Sequence, residues 1–208
     1  MLDAGCGTGY TLERLGDRYD LTGMDLSLDA IEIARQHTGA LLVQGDLLDA
    51  PIPGPSFDGI LALDIIEHID DDLASVIALR DLLDPGGVMI ITVPAGPSLW
   101  SEHDVALGHK RRYTRGSLAD LLEQADLQIE KLTCYNSLLH PPIAAWRRLR
   151  PTRTKEAEAA SSDLRPINPV LNGVLKWLLA SERHLLRHLD LPFGLSLLAI
   201  VRHRRSEK

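Results

Sequence analysis

Residues 2–9 read LDAGCGTG, so Gly5, Gly7 and Gly9 alternate with other residues behind a short apolar start and Asp3. Glycine permits positive φ and lets a ligand approach the backbone, and a helix opening just after it presents unpaired N–H groups. The stretch therefore predicts a ligand loop. A dinucleotide fingerprint would need a further glycine where Tyr10 stands, and a phosphate loop would need a Lys-Ser/Thr pair that does not follow. Alone, such a loop could equally be a tight turn. Its companions are acids. Asp25 closes the second apolar run, Asp46 the third, and LDIIEH (63–68) the fourth. A carboxylate at Asp25 can accept two hydrogen bonds from a ribose diol, and one at Asp46 can accept from an exocyclic amine. Each acid taken singly also reads as a helix cap or turn residue. Three at successive strand ends point instead to a ligand at the carboxyl edge, where open α/β sheets bind them.

The elements that must carry these residues alternate. Short apolar runs at 21–26, 40–47, 57–64 and 86–95 are separated by helical patterns near 9–18, 27–37 and 70–84, the last halted by DPGG. Strands separated by helices imply βαβ units and a doubly wound, mostly parallel sheet. A helix at 116–125, for which Ser117 is a candidate cap, precedes a strand at 127–136, and a final strand at 195–205 closes the sheet. Residues 141–169, with five prolines and several arginines, read as irregular. They are followed by an amphipathic helix over 170–190. The 208 residues are thus expected to form a single α/β domain in which 137–192 is an insertion before the last strand.

Composition excludes several classes. Hydrophobic residues make up 45% and charged residues 25%, ordinary for a globular chain. The longest apolar stretch, 191–201, is too short for a membrane-spanning helix, and the first residues do not read as a signal peptide. Cys6 and Cys134 are expected as reduced thiols of a cytoplasmic protein. The net charge of −7 is split unevenly, acid dominating residues 1–100 and base residues 101–208. That balance, without an array of interleaved aromatic and basic residues, argues against a nucleic-acid partner.

Together LDAGCGTG, GMDLS, QGDLLDAP, FDGILALDIIEHI and LLDPGGVMIITVP resemble the ordered motifs of class I S-adenosylmethionine-dependent methyltransferases. The resemblance covers residues 1–136 and the last strand. It implies a seven-stranded sheet whose final strand runs antiparallel beside the sixth, and S-adenosylmethionine as cofactor. By resemblance, Asp3 and the backbone of Gly5, Cys6 and Gly7 hold the methionine part of the cofactor, and Asp25 takes the ribose hydroxyls. Leu26 packs on adenine, Asp46 and Leu47 read its edge, and Leu63 and His68 lie near the methyl group. The superfamily normally carries a longer first strand and helices before the glycine loop, whereas about three strand residues precede it here. The missing cover is expected from 137–192, folded over the carboxyl edge near His103 to Tyr113, or from a second subunit, with 150–166 its most mobile part.

Methyl transfer is an in-line displacement, so positioning supplies much of the rate, and a base is needed only where the acceptor must lose a proton. In such folds the loop after the fifth strand faces the methyl group. Here it contains His103, Asp104, His109 and Tyr113 among Lys110, Arg111, Arg112 and Arg115. His103 or His109 is the candidate base. Arg111 or Arg112 is a candidate anion clamp, with Tyr113 beside them. The expected acceptor is small or lipophilic, bears a hydroxyl, carboxylate or phosphate, and is methylated on oxygen. The alternative is an inactive cofactor-binding scaffold. DIIEH (64–68) resembles the E-x-x-[DE]-H metal motif of some O-methyltransferases, and on a helix Asp64, Glu67 and His68 would share a face. The same EH pair is widespread without metal, so no metal site is assigned. The helix at 170–190 suits packing within the domain or against a second copy, a lid over a lipophilic substrate, or peripheral contact with a membrane.

Overall fold

The computed structural model describes residues 1–149 and 169–204. Its centre is one seven-stranded sheet in the order β3-β2-β1-β4-β5-β7-β6. The strands are β1 (Leu2–Ala4), β2 (Thr22–Asp25), β3 (Leu41–Gln44), β4 (Phe57–Leu63), β5 (Leu83–Pro94), β6 (Leu127–Tyr135) and β7 (Ser196–His203). Every pairing is parallel except those of β7, which lies antiparallel between β5 and β6. The chain fits the doubly wound, mostly parallel architecture expected of it.

The strands are apolar because both faces of the sheet are covered. On one face, α1 (Tyr10–Leu15) and α2 (Leu28–Arg35) bury Leu12 and Ile31 against Cys6 and Leu21. The larger cluster joins Val76 and Leu79 of α3 (Asp72–Leu82) and Leu118 and Leu122 of α5 (Arg115–Gln124) to Leu2, Ile60, Met89, Ile91 and Val201. β1 has only three residues, yet it sits between β2 and β4, with Leu2 opposite both Thr22 and Ile60. Its brevity does not loosen it, since all three residues are buried.

Several local expectations give way to capping and turn chemistry. α5 begins at Arg115, capped by Thr114, and Ser117 completes the reciprocal bond from the third helical position instead of serving as the cap. β3 ends at Gln44, so Asp46 lies beyond the strand, in a short bridge with Asp49. Ile66–His68 is a single 3₁₀ turn. Asp64, Glu67 and His68 therefore do not share a helical face. The start of the stretch 141–169 expected as irregular instead belongs to α6 (His140–Leu149), because Pro141 and Pro142 fall in a first turn where no backbone donor is needed. α7 spans Pro169–Leu186, shorter at its end than the sequence pattern suggested. The expected mobile stretch 150–166 lies outside the described residues.

The segment between β6 and β7 is tied to the sheet where it leaves and returns. Buried Glu182 of α7 accepts the Ser137 N–H at 2.9 Å, and the Ser137 hydroxyl donates to the Phe193 carbonyl. Leu191 bridges to Cys134. Both cysteines are free and buried. No helix among the described residues is long and apolar enough to cross a membrane.

Candidate functional site

The glycine loop is built by the end of β2. The N–H groups of Gly5 and Cys6 both donate to the Met24 carbonyl, at 2.8 and 3.0 Å, which folds the chain back as β1 ends. Gly5 and Gly7 have φ of +74° and +51°, the left-handed region that favours glycine. A Cβ on Gly5 would lie 2.7 Å from the Ile65 side chain, whereas one on Gly7 would enter open space. One position is closed by packing and the other is left bare on its open side. Asp25 secures the turn: its Oδ2 accepts the Gly7 N–H at 2.8 Å and its Oδ1 the Ser27 N–H at 2.9 Å.

Asp3, in the strand that runs into this loop, is only 2% exposed, with Oδ2 lacking a hydrogen-bond partner among the described residues. Burial, and then the charge of Asp25, pushes its carboxyl up to about 6. A buried carboxylate oxygen without a donor suits a cationic ligand group. Around it, Leu26 is 68% exposed and Leu63 half-buried, while Leu47 packs into the core. The Asp46 carboxylate accepts the Leu48 N–H at 2.9 Å, an exposed turn at the same edge.

The second half of the site forms where the 3₁₀ turn after β4 meets the segment following β5. α4 (Glu102–Ala106) opens with a capping box in which Asp104 accepts from the Ser101 N–H at 2.8 Å and the Ser101 hydroxyl at 3.0 Å. The same carboxylate receives Arg112 Nε at 2.7 Å and faces His109 Nδ1 at 3.1 Å. Burial pushes the Asp104 carboxyl up, but the Arg112 guanidinium and the other donors outweigh it and hold the group below its ordinary value. The opposite nitrogen of His109, Nε2, lies 3.9 Å from Glu67, and the His68 ring meets the His109 ring edge-on at 4.8 Å.

Glu67 is fully buried and neither of its oxygens has a hydrogen-bond partner among the described residues. Burial raises its carboxyl to about 8, so it holds its proton at neutral pH. His68 is pushed down, first by burial and then by His109. One ligand atom from each of Glu67, His68 and His109 lies within 4.8 Å of the others, a set that could hold a metal ion.

The remaining expected site residues separate. His103 is exposed on α4. The Arg111 guanidinium is occupied by Asp72 at 2.8 Å and by the carbonyls of Ile69 and Asp70. Arg112 also donates to the Ala95 carbonyl at 2.9 Å, and buried Tyr113 donates its hydroxyl to Asp72 at 2.8 Å. These three side chains fasten the loop to the sheet edge. Sequence reasoning placed Asp104 in the candidate substrate loop but gave it no role of its own. Asp104 carried a signal, since Ser101 and Asp104 have the spacing of a capping box.

The profile of a family described as a methyltransferase domain matches residues 2–91. The chain is 32% identical over 170 residues to a ubiquinone biosynthesis O-methyltransferase of Xanthomonas campestris, covering 71% of this chain and 67% of that one. The chain belongs to the class I S-adenosylmethionine-dependent methyltransferases. A ubiquinone biosynthesis O-methyltransferase of Cereibacter sphaeroides is 37% identical over 98 residues, 43% of this chain and 39% of that protein. The chain spans about half the length of the curated relatives it matches, from 36% to 67%. Among solved structures, an S-adenosylmethionine-dependent methyltransferase from Mesorhizobium loti superposes with a TM-score of 0.64 at 19% identity, over 97% of this chain and 89% of that one. One from Archaeoglobus fulgidus gives 0.61 at 19%, over 96% and 84%. At those identities the likeness carries the fold. Family membership implies S-adenosylmethionine as cofactor. The unpaired Asp3 oxygen, the bare face of Gly7 and the Asp25 carboxylate at the end of β2 fit its ammonium, backbone approach and ribose.

Proposed function

We propose that this chain methylates a hydroxyl oxygen of a small or lipophilic acceptor. The observation that carries this reading is His109, held by Asp104 on one nitrogen while the other faces Glu67 in the same loop cluster. Methyltransferases with this fold need no base for an already nucleophilic acceptor, so a buried carboxylate–imidazole pair suits an acceptor that must lose a proton. Several relatives of this chain bear the name O-methyltransferase.

In this reading Asp3 and the backbone of Gly5, Cys6 and Gly7 hold the methionine end of the cofactor. Asp25 takes the ribose, Leu26 packs on the adenine, Asp46 and Leu47 stand at its edge, and Leu63 and His68 line the approach to the methyl group. S-adenosylmethionine supplies an electrophilic methyl on a sulfonium. With the cofactor held there, the bond from methyl to sulfur would break as the acceptor oxygen bonds to carbon, the neutral thioether would leave, and His109 Nε2 would take the hydroxyl proton. Arg111, Arg112 and Tyr113 act by fixing the loop, and exposed His103 is not required. The described parts of the segment between β6 and β7, α6 and α7, are the candidate cover for the acceptor, with a second copy or a membrane surface as the other partner they would suit.

Transfer of labelled methyl into fractions of cell extract tests the proposal. Label in small-molecule fractions, lost in His109→Ala, is the expected result, whereas label confined to protein or nucleic acid would overturn it. The ligand-type cluster of Glu67, His68 and His109 favours a second reading, in which a bound divalent ion ionises the hydroxyl. Abolition of transfer by a chelator, restored by added Mg²⁺ or Zn²⁺, would select it.

A further inference from the structure

We propose that Asp104 is a positioning residue that fixes His109 in the tautomer bearing its proton on Nδ1, leaving the Nε2 lone pair to face the acceptor space beside Glu67. The use of that lone pair rests on the function proposed above; the tautomer does not.

A neutral imidazole has one donor nitrogen and one acceptor, and which is which follows from its partners. Asp104 is fully buried, and all four of its close polar neighbours approach as donors or can do so: the Ser101 N–H and hydroxyl on Oδ2, Arg112 Nε and His109 Nδ1 on Oδ1. An ionised carboxylate only accepts. Nδ1 at 3.1 Å from it must therefore carry the proton, since the other tautomer would set two lone pairs against each other inside the protein.

The backbone enforces the same pairing. The His109 N–H donates to the Asp104 carbonyl at 2.9 Å, so one residue grips the other through both main chain and side chain. Asp104 is in turn held by the cap of α4 and by Arg112, which is anchored on the Ala95 carbonyl at the sheet edge. The remaining groups around the ring are Glu67, His68 and Asp64. Glu67 lies on the Nε2 side, at 3.9 Å beyond hydrogen-bond reach, so it does not compete for the ring proton. The imidazole is thus presented with a defined lone pair before any acceptor arrives.

The test is nitrogen NMR of the full chain with labelled histidine at about pH 8, where an ordinary imidazole is neutral. His109→Gln assigns the signal among the eight histidines. A protonated Nδ1 and an unprotonated Nε2 are expected; a ring protonated on Nε2, or exchanging between both forms, overturns the proposal. In Asp104→Ala the single-tautomer signature should disappear while affinity for S-adenosylmethionine stays within about twofold; its persistence would show that Asp104 does not set it. Should that variant fail to fold, Asp104→Asn keeps the shape and should cut kcat by roughly 10²–10⁴-fold at little changed KM, as amide replacement does for other buried partners of catalytic imidazoles. An unchanged kcat in Asp104→Asn would overturn the role. The expected tautomer in a protein that methylates no hydroxyl acceptor would sink the proposed function and leave the positioning role standing.

Discussion

Asp25 Oδ2 and the Gly7 N–H are 2.8 Å apart, so the carboxylate at the end of one strand pins the loop that leaves its neighbour. The same side chain is the one proposed to take the cofactor ribose. Asp25→Ala removes both contacts, and the weakening of S-adenosylmethionine binding measured by calorimetry should be about 1–3 kcal/mol. Asp25→Asn, which can still accept from Gly7, should fall between that variant and the parent.

The two glycines of the loop should fail in different ways. Alanine at Gly5 would drive a methyl to 2.7 Å from Ile65, so Gly5→Ala should lower the melting temperature of the ligand-free protein. Gly7→Ala meets no neighbour and bears only the strain of a left-handed backbone, about 1–2 kcal/mol. Its larger effect should be on cofactor affinity, because the new methyl stands on the open side. Equal losses of stability with no difference in binding would contradict this division.

Asp3 makes the ligand-free protein sensitive to pH. Its folded-state value of about 6 lies above the 3.8 of an unperturbed carboxyl, so the folded form holds this proton more tightly. Stability from this group is complete below the lower value and declines as pH rises through the higher one, a loss of about 3 kcal/mol by neutral pH. Thermal unfolding should show Asp3→Asn gaining on the parent between pH 4 and 7. Cofactor binding should run the opposite way, strengthening as Asp3 ionises, and Asp3→Asn should abolish that dependence.

Removing residues 141–190 and rejoining the strands should leave S-adenosylmethionine binding largely intact by calorimetry and eliminate methyl transfer. Within the insertion, Glu182→Ala strands the buried Ser137 N–H and should cost about 1–3 kcal/mol of stability. A deletion variant that retained full transfer would show the insertion to be peripheral to the acceptor.

Much of the frame was legible because its signals are local. Apolar runs, glycines and acids at strand ends located β1 to β5 and the loop edge, and periodicity located the helices. The errors lie where one side chain decides an outcome. Thr114 outcompetes Ser117 for the end of α5 because the capping box uses both, and paired prolines open α6 where composition alone suggested irregular chain. The acceptor-side cluster was half legible: His109 and the arginines stand out by type, but their division of labour does not. Arg111 and Arg112 spend their donors on Asp72, Asp104 and main-chain carbonyls, contacts that exist only once the loop is folded against the 3₁₀ turn.

Because β6 runs with the sheet and β7 against it, the chain departs from and re-enters the same rim. Whatever is spliced between Tyr135 and Ser196 starts and finishes at the sheet rim where β5 ends at Pro94 and leaves the ladder beneath it unchanged. The entropy of closing such an excursion rises only with the logarithm of its length, about 0.6 kcal/mol for each doubling. On the proposed role of the insertion as the cover of the acceptor, acceptor preference could be exchanged as a cassette while the cofactor half, encoded at the opposite end of the chain, stays constant. In evolutionary terms, the reversed strand is a socket.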